Sequence, residues 1–200
     1  MTEGQRFSAI LQEKCREFMG LTPGQIEALW AHFELLCRWN GRLNLTSVIE
    51  LEKAAVRHYA ESLFLASLVP PATRRVADIG SGAGFPGFPL AVALPHAAVF
   101  LIESDQRKAA FLREASDFCH NVRVRCMRAD AWKEHVDAVV GRAVRPTEII
   151  ATAHRVADWC GILLSRQDAD QLAAASSAQV TPLPWDEQSA VLSCPVPRGT

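Results

Sequence analysis

The sequence is short of several features that would assign it quickly. Its 21 Lys and Arg are matched by 22 Asp and Glu, a formal charge of −1, so no bulk positive field draws in nucleic acid. Any RNA contact has to come from a local patch, and DNA is not an expected partner. None of the six cysteines stands in a C-x-x-C pair, and no histidine cluster supplies the missing ligands of a zinc site. Cys15, Cys37, Cys119, Cys126, Cys160 and Cys194 are therefore expected to be buried, reduced thiols, with no metal bound. No stretch approaches the roughly 18 uninterrupted apolar residues of a membrane span. The opening MTEGQRFSAI lacks the basic-then-apolar order of a secretory leader, so a soluble cytoplasmic protein is expected. There is no internal repeat and no long linker.

What is present is enough apolar material for a core. Of 200 residues, 49% are hydrophobic and the mean hydropathy is +0.05, which suits one compact domain with order to near its ends. The first 70 residues read as a helical extension. Thr22-Pro23 sets an N-cap threonine before a proline at the first helical position. Ile26, Leu29, Trp30, Phe33, Leu36 and Cys37 then recur at helical spacing to about Trp39. A shorter stripe of Phe7, Ile10, Leu11, Cys15 and Phe18 precedes it. Glu50 to Leu68 is helical again, with a break expected near His58, and Pro70-Pro71 ends it.

After Pro71 the texture alternates. Strands are expected at 76–79, 98–103, 122–127, 136–141 and 161–165, and helices at 86–94, 106–118 and 147–159. A further helix at 167–175 and closing strands at 178–182 and 189–193 complete the tail. This alternation predicts an α/β fold with a parallel, doubly wound, Rossmann-like sheet over residues 71–200, on which residues 1–70 pack.

Residues 78–87 read DIGSGAGFPG, where two cofactor fingerprints overlap. Gly82 to Gly87 fits G-x-G-x-x-G, the dinucleotide pattern. Read from Asp78, the same stretch resembles the first motif of S-adenosylmethionine (SAM) methyltransferases. Glu103, at the end of the second strand, suits the ribose hydroxyls of either ligand. Asp78 and the Ala129-Asp130 pair favour SAM, because a pyrophosphate gains nothing from a carboxylate before the first glycine. The acids suit the methionine amine and the adenine amino group.

The acceptor is narrowed by what is missing. The D/N-P-P-Y/F tetrapeptide of adenine amino-group methylation is absent; its place reads Gly141-Arg142-Ala143-Val144-Arg145. No Pro-Cys dipeptide supplies the nucleophile of pyrimidine C5 methylation. Guanine N7 remains a suitable acceptor, since it offers a lone pair and carries no proton, so catalysis reduces to placement. Arg142 is the candidate catalytic residue, holding guanine O6 or a phosphate without acting as a base.

The chain resembles the glucose-inhibited division protein B family, the bacterial small-subunit rRNA guanine-N7 methyltransferases. The resemblance rests on Trp39-Asn40, Asn44-Leu45-Thr46, Arg57-His58 with Glu61-Ser62-Leu63, DIGSGAGFPG with Pro89-Leu90-Ala91, Glu103-Ser104, Arg107-Lys108 before Phe111-Leu112, Arg128-Ala129-Asp130 and Gly141-Arg142-Ala143. It covers about residues 25 to 150. It implies a class I SAM-dependent methyltransferase fold with a helical N-terminal extension. It also implies SAM as donor and a guanine in the 530 loop of 16S rRNA as acceptor. Gly80, Gly82 and Phe85 should then meet SAM from the loop, with Asp78, Glu103, Ala129, Asp130 and Arg142 around it. Asn44, His58, Arg107, Lys108 and Arg145 are candidate contacts to RNA in the small ribosomal subunit, and a monomer is expected.

Four departures stand out, the first of them in the tail, where Glu187-Gln188-Ser189-Ala190 precedes the closing strand and family members often have a basic residue. Family members carry Asp where this chain has Glu61, Ser where it has Gly141, and a Lys-Gly pair where it reads Ser165-Arg166-Gln167. His58 reads equally as a hydrogen-bonded histidine locking its helix to the sheet, and Asn44 and Thr46 as capping residues. Arg38, Arg42, Lys53 and Arg57 give the extension a basic excess suited to phosphates or to a solvated face. Two other functions stay open: methylation of a protein or small molecule, which would not need the Asn-Leu-Thr and Arg-His segments, and a non-catalytic nucleoside-binding module, which would not need the glycines.

Overall fold

The computed structural model describes residues 1–174 and 176–196. Seven strands make one sheet: β1 (Arg75–Ile79), β2 (Ala98–Glu103), β3 (Val122–Cys126), β4 (Val136–Arg142), β5 (Ala157–Ser165), β6 (Gln179–Leu183) and β7 (Asp186–Pro195). They lie in the order β3-β2-β1-β4-β5-β7-β6. The first five run parallel, while β7 is antiparallel to both β5 and β6. The expected parallel sheet thus gains a C-terminal antiparallel hairpin. Chain order reverses between β1 and β4, so the crevice at their carboxyl ends is where an open α/β sheet takes its ligand.

Helices cover both faces. They are α1 (Glu3–Cys15), α2 (Pro23–Leu43), α3 (Leu51–Ala54), a π-helical turn (Ala55–Ala60), α4 (Glu61–Leu68), α5 (Gly87–Ala93), α6 (Gln106–Ala115), α7 (Pro146–Val156) and α8 (Arg166–Ala173). At the head of α2, the Thr22 hydroxyl accepts from Gln25 N while Gln25 Oε1 accepts from Thr22 N at 2.9 Å, a reciprocal cap. The same device, Thr2 with Gln5, starts α1.

Strand residues alternate between two cores. Val76, Ala138, Val140, Trp159 and Leu163 face the side of α1 to α6, in one cluster with Phe7, Leu36 and Leu63. Ala77, Ile79, Val139, Cys160 and Ile162 face α7, with Ile149 and Val156. Burial on both sides explains why these strands read as apolar runs rather than alternating ones. The N-terminal helices share the first core with the sheet. Among the described residues no helix is long and apolar enough to cross a membrane.

Four expectations need correction. The helix expected to reach Trp159 stops at Val156, and Ala157 to Trp159 already belong to β5. No Gly or Pro marks that boundary; pairing of Ala157 with Val136 and of Trp159 with Ala138 and Pro195 decides it. The break near His58 is instead a π turn that keeps 51–68 continuous. Pro86 caps α5 rather than opening its first turn. Of the thiols, only Cys15, Cys119 and Cys160 are buried: Cys37 on the outer side of α2 and Cys126 at the end of edge strand β3 are exposed, and Cys194 is half-buried. The tail helix ends at Ala173, and its expected last residue, Ala175, lies outside the described residues.

Candidate active site

The glycine loop is shaped by what a side chain would hit. Gly80 has φ +69°, the left-handed region, and a Cβ there would stand 2.5 Å from Val144 Cγ2. The amides of Gly80 and Ser81 both donate to Ile102 O on β2, at 2.9 and 3.1 Å, which folds the loop over the end of the neighbouring strand. Glu103 completes the turn: its Oε2 accepts from Gly82 N at 2.9 Å and its Oε1 from Asp105 N at 2.8 Å. A carboxylate has about four lone-pair sites, so Glu103 retains acceptors for a pair of hydroxyls.

Asp78 lies beneath the loop, fully buried. Its Oδ2 accepts from Gly87 N at 3.0 Å, tying β1 to the start of α5, and its Oδ1 has no partner among the described residues. Burial pushes this carboxyl up to about 7, against the pull of Ser81, Gly87 and Arg142.

Above the loop, Arg142 at the end of β4 is fixed from three sides. Its Nη1 donates to Arg57 O and lies 3.5 Å from Glu61 Oε2, and its Nη2 donates to His58 Nδ1 at 2.6 Å. The guanidinium also stands 5.6 Å from the Phe85 ring centre. Ala143, the next residue, has φ +58°, a strained conformation for a non-glycine that turns the chain away just after Arg142.

His58 is the hub of this corner. An arginine carries donors only, so Nδ1 must be the acceptor and the ring proton sits on Nε2. That nitrogen faces Thr46 Oγ1 at 2.9 Å and Val48 O at 3.1 Å. The ring stacks on Phe85 with centroids 4.6 Å apart. Burial, then Arg142, hold the imidazole down at about 4, hence neutral at pH 7. Asn40 pins the loop behind it, donating to Thr46 O and accepting from Thr46 N at 3.0 and 2.9 Å.

These residues bound three adjoining chambers. The first, about 370 Å³, is walled by Gly80 to Ala83, Phe85, Glu103 and Lys108. A smaller one of about 180 Å³, walled by Met127, Arg128 and Ala129, shares Gly80 and Val144 with it. A third of about 570 Å³ lies across Thr46, His58, Arg142 and Ala143, and is closed by Arg57, Glu61, Ser165, Asp186 and Ser189. The first two fit SAM by observation: at Gly82 the loop leaves open space, where a Cβ would meet nothing nearer than Gly80 O at 3.7 Å, and Glu103 lines the same chamber with lone pairs in hand.

Comparison with known proteins supplies the family. A sequence model of GidB, rRNA small subunit methyltransferase G, matches residues 25–178. The chain belongs to the GidB family. Ribosomal RNA small subunit methyltransferase G of Dichelobacter nodosus is 42% identical over 123 residues, 60% of this chain and 58% of that protein. The protein of that name from Gluconobacter oxydans is 40% identical over 140 residues, 69% of this chain and 68% of its own. The match spans only 54% of the Desulfitobacterium hafniense relative, so with the Dichelobacter protein the chain spans little more than half of these relatives' length. Magnesium protoporphyrin IX methyltransferase from Synechocystis with bound SAM superposes with a TM-score of 0.57 at 14% identity, covering 89% of this chain and 99% of that one. The 23S rRNA methyltransferase ErmE gives 0.56 at 17% identity over 72% of each chain. At such identities the likeness is one of fold, the class I SAM-dependent methyltransferase fold.

In this GidB-family chain the residues singled out from the sequence do not all converge. Gly80, Gly82, Phe85, Glu103, Arg142 and His58 wall the first chamber, and Ala129 walls the second. Asp130 turns outward, 3.3 Å from Arg128, its side chain 66% exposed. Lys108 lines the first chamber, whereas Arg107 projects into solvent 3.9 Å from Asp105. Both cations are tolerated at the head of α6 because Asp105 caps it, accepting from their amides. Asn44 is exposed and ends α2 in a left-handed turn, and Arg145 is exposed at the cap of α7. Arg166 is paired with Asp170 at 2.9 Å, so its charge is engaged away from the chambers. A Cβ at Gly141 would meet Ile149 Cδ1 at 2.7 Å, so α7 packs closely on the end of β4 there. Sequence reasoning passed over Asp186, and gave Ser189 and Glu61 no role. An acid heading the apolar run Glu61-Ser-Leu-Phe-Leu-Ala was the available signal.

Proposed function

We infer that the chain transfers the methyl group of SAM to N7 of a guanine in the 530 loop of 16S rRNA, within the small ribosomal subunit. SAM lies across the two smaller chambers, its ribose hydroxyls on Glu103 and its adenine beside Ala129, and the base enters the third. The observation that carries this reading is the occupied lone pair of His58. With Nδ1 accepting from Arg142, the wall between donor and acceptor holds no free imidazole base. Guanine N7 attacks with a ready lone pair, so it needs alignment and no such base. The charge on sulfur passes to the purine, and Arg142 positions the base through O6. On this proposal the enzyme acts as a monomer, in the cytoplasm where the substrate resides.

The test is incubation of the protein with radiolabelled SAM and 30S subunits lacking the modification, followed by mapping of the label. Label at N7 of one guanine is expected, and Arg142→Ala should cut its appearance by at least a hundredfold with the fold intact by circular dichroism. Label in protein, or at another ring atom, overturns the assignment.

A further inference from the structure

The third chamber contains a carboxylate that the transfer itself does not use. Glu61 heads α4 directly after the π turn, is only 6% exposed, and lines that chamber but neither of the two smaller ones. Among the described residues its one hydrogen-bond partner is Arg142, at a long 3.5 Å. A buried carboxylate normally takes several close donors, because desolvation otherwise outweighs its attraction to a single cation. Here it does not. The groups facing it are Arg142 on β4, Arg57 and His58 on the π turn, and Asp186 on β7. Burial raises its carboxyl to about 7 despite Arg142 and Arg57, with Asp186 adding to the rise.

An under-satisfied carboxylate beside a guanidinium presents donor, acceptor, acceptor along one edge. The Watson–Crick edge of guanine presents the complement: O6 accepts, and N1–H and the N2 amino group donate. Adenine opposes a donor to the arginine and an acceptor to the carboxylate. Bases held out of a helix are read on this edge. Arg142 stands in the wall shared with the donor chamber and Glu61 beyond it. Because N7 and N1 lie on opposite sides of the purine, a base docked with N1 and N2 on Glu61 turns N7 toward the donor.

We propose that Glu61 is the residue that selects guanine, accepting from N1–H and the N2 amino group while Arg142 donates to O6. This rests on the guanine-methylating reading above. The experiment measures kcat/KM on reconstituted 30S subunits carrying either guanosine or inosine, which lacks the N2 amino group, at the methylated position. Wild type should prefer guanosine by about ten- to a hundredfold, as expected for a hydrogen bond to a charged group. Glu61→Gln should lose most of that preference while binding SAM with unchanged affinity by calorimetry, and Glu61→Asp should restore it. Equal wild-type rates on the two RNAs, or a full preference in Glu61→Gln, overturn the assignment. Absence of transfer to either RNA instead removes the parent reading.

Discussion

Replacing Gly80 by alanine asks how the donor chamber is held open. At φ +69° a Cβ costs an L-residue about 1–2 kcal/mol. The added methyl would stand 2.5 Å from Val144 Cγ2, and turning that valine off its rotamer costs about 0.5–1.5 kcal/mol. Together these amount to about 1.5–3.5 kcal/mol, which should lower Tm by about 3–14 °C in a chain of 200 residues. Val144→Ala removes the obstructing methyl but leaves the backbone strain. The double variant should therefore be more stable than the sum of the single changes by about 1 kcal/mol, resolvable by scanning calorimetry as a double-mutant cycle. Gly80 and Val144 together form the neck between the two smaller chambers. Titration with SAM should accordingly show at least tenfold weaker binding to Gly80→Ala. Additivity within about 0.5 kcal/mol would refute the contact with Val144, and unchanged SAM affinity would refute the position of the donor.

Three further outcomes follow from the same corner. Glu103→Ala should weaken SAM binding by about ten- to a hundredfold, since it removes both the ribose acceptor and the support of Gly82 N; near-native affinity in calorimetry would count against it. His58 titrates at about 4 rather than 6.5, so the stability it contributes is complete above 6.5 and is lost as pH falls through 4. That is worth roughly 3 kcal/mol at 1.4 kcal/mol per tenfold; His32, held down to about 3, acts over the same window, so urea midpoints of His58→Gln and wild type must be compared by difference, and parallel curves would argue against it. Asn40→Ala should free both backbone groups of Thr46, speeding hydrogen exchange of its amide and slowing methyl transfer, while unchanged exchange would show that the loop is held elsewhere.

The parts legible in the sequence are those governed by local chemistry. Thr22-Pro23 announced α2 because capping involves residues three apart, and the bounds of β2 fell where turn residues flank an apolar run. Glu103 was legible because strand, loop and acid recur at a fixed spacing. What stayed hidden depends on distant partners. The start of β5 is set by β4 and β7. Asp78 illustrates the limit well: its place before the first glycine suggested a ligand contact, yet its Oδ2 clamps the amide of Gly87. The role of Glu61 emerges only once β4 sets Arg142 against the π turn.

The wall formed by Thr46, His58, Arg142 and Ala143 faces two chambers at once. Each member is braced by another: Arg142 on His58, His58 on Thr46 and Phe85. A ligand that shifts this wall from one side therefore reshapes the other, and thermodynamic reciprocity makes the effect equal in both directions. On the function proposed above, donor and acceptor affinities are expected to be coupled through this shared wall. The order in which the proposed donor and RNA bind is then expected to depend on that partition as well as on each chamber.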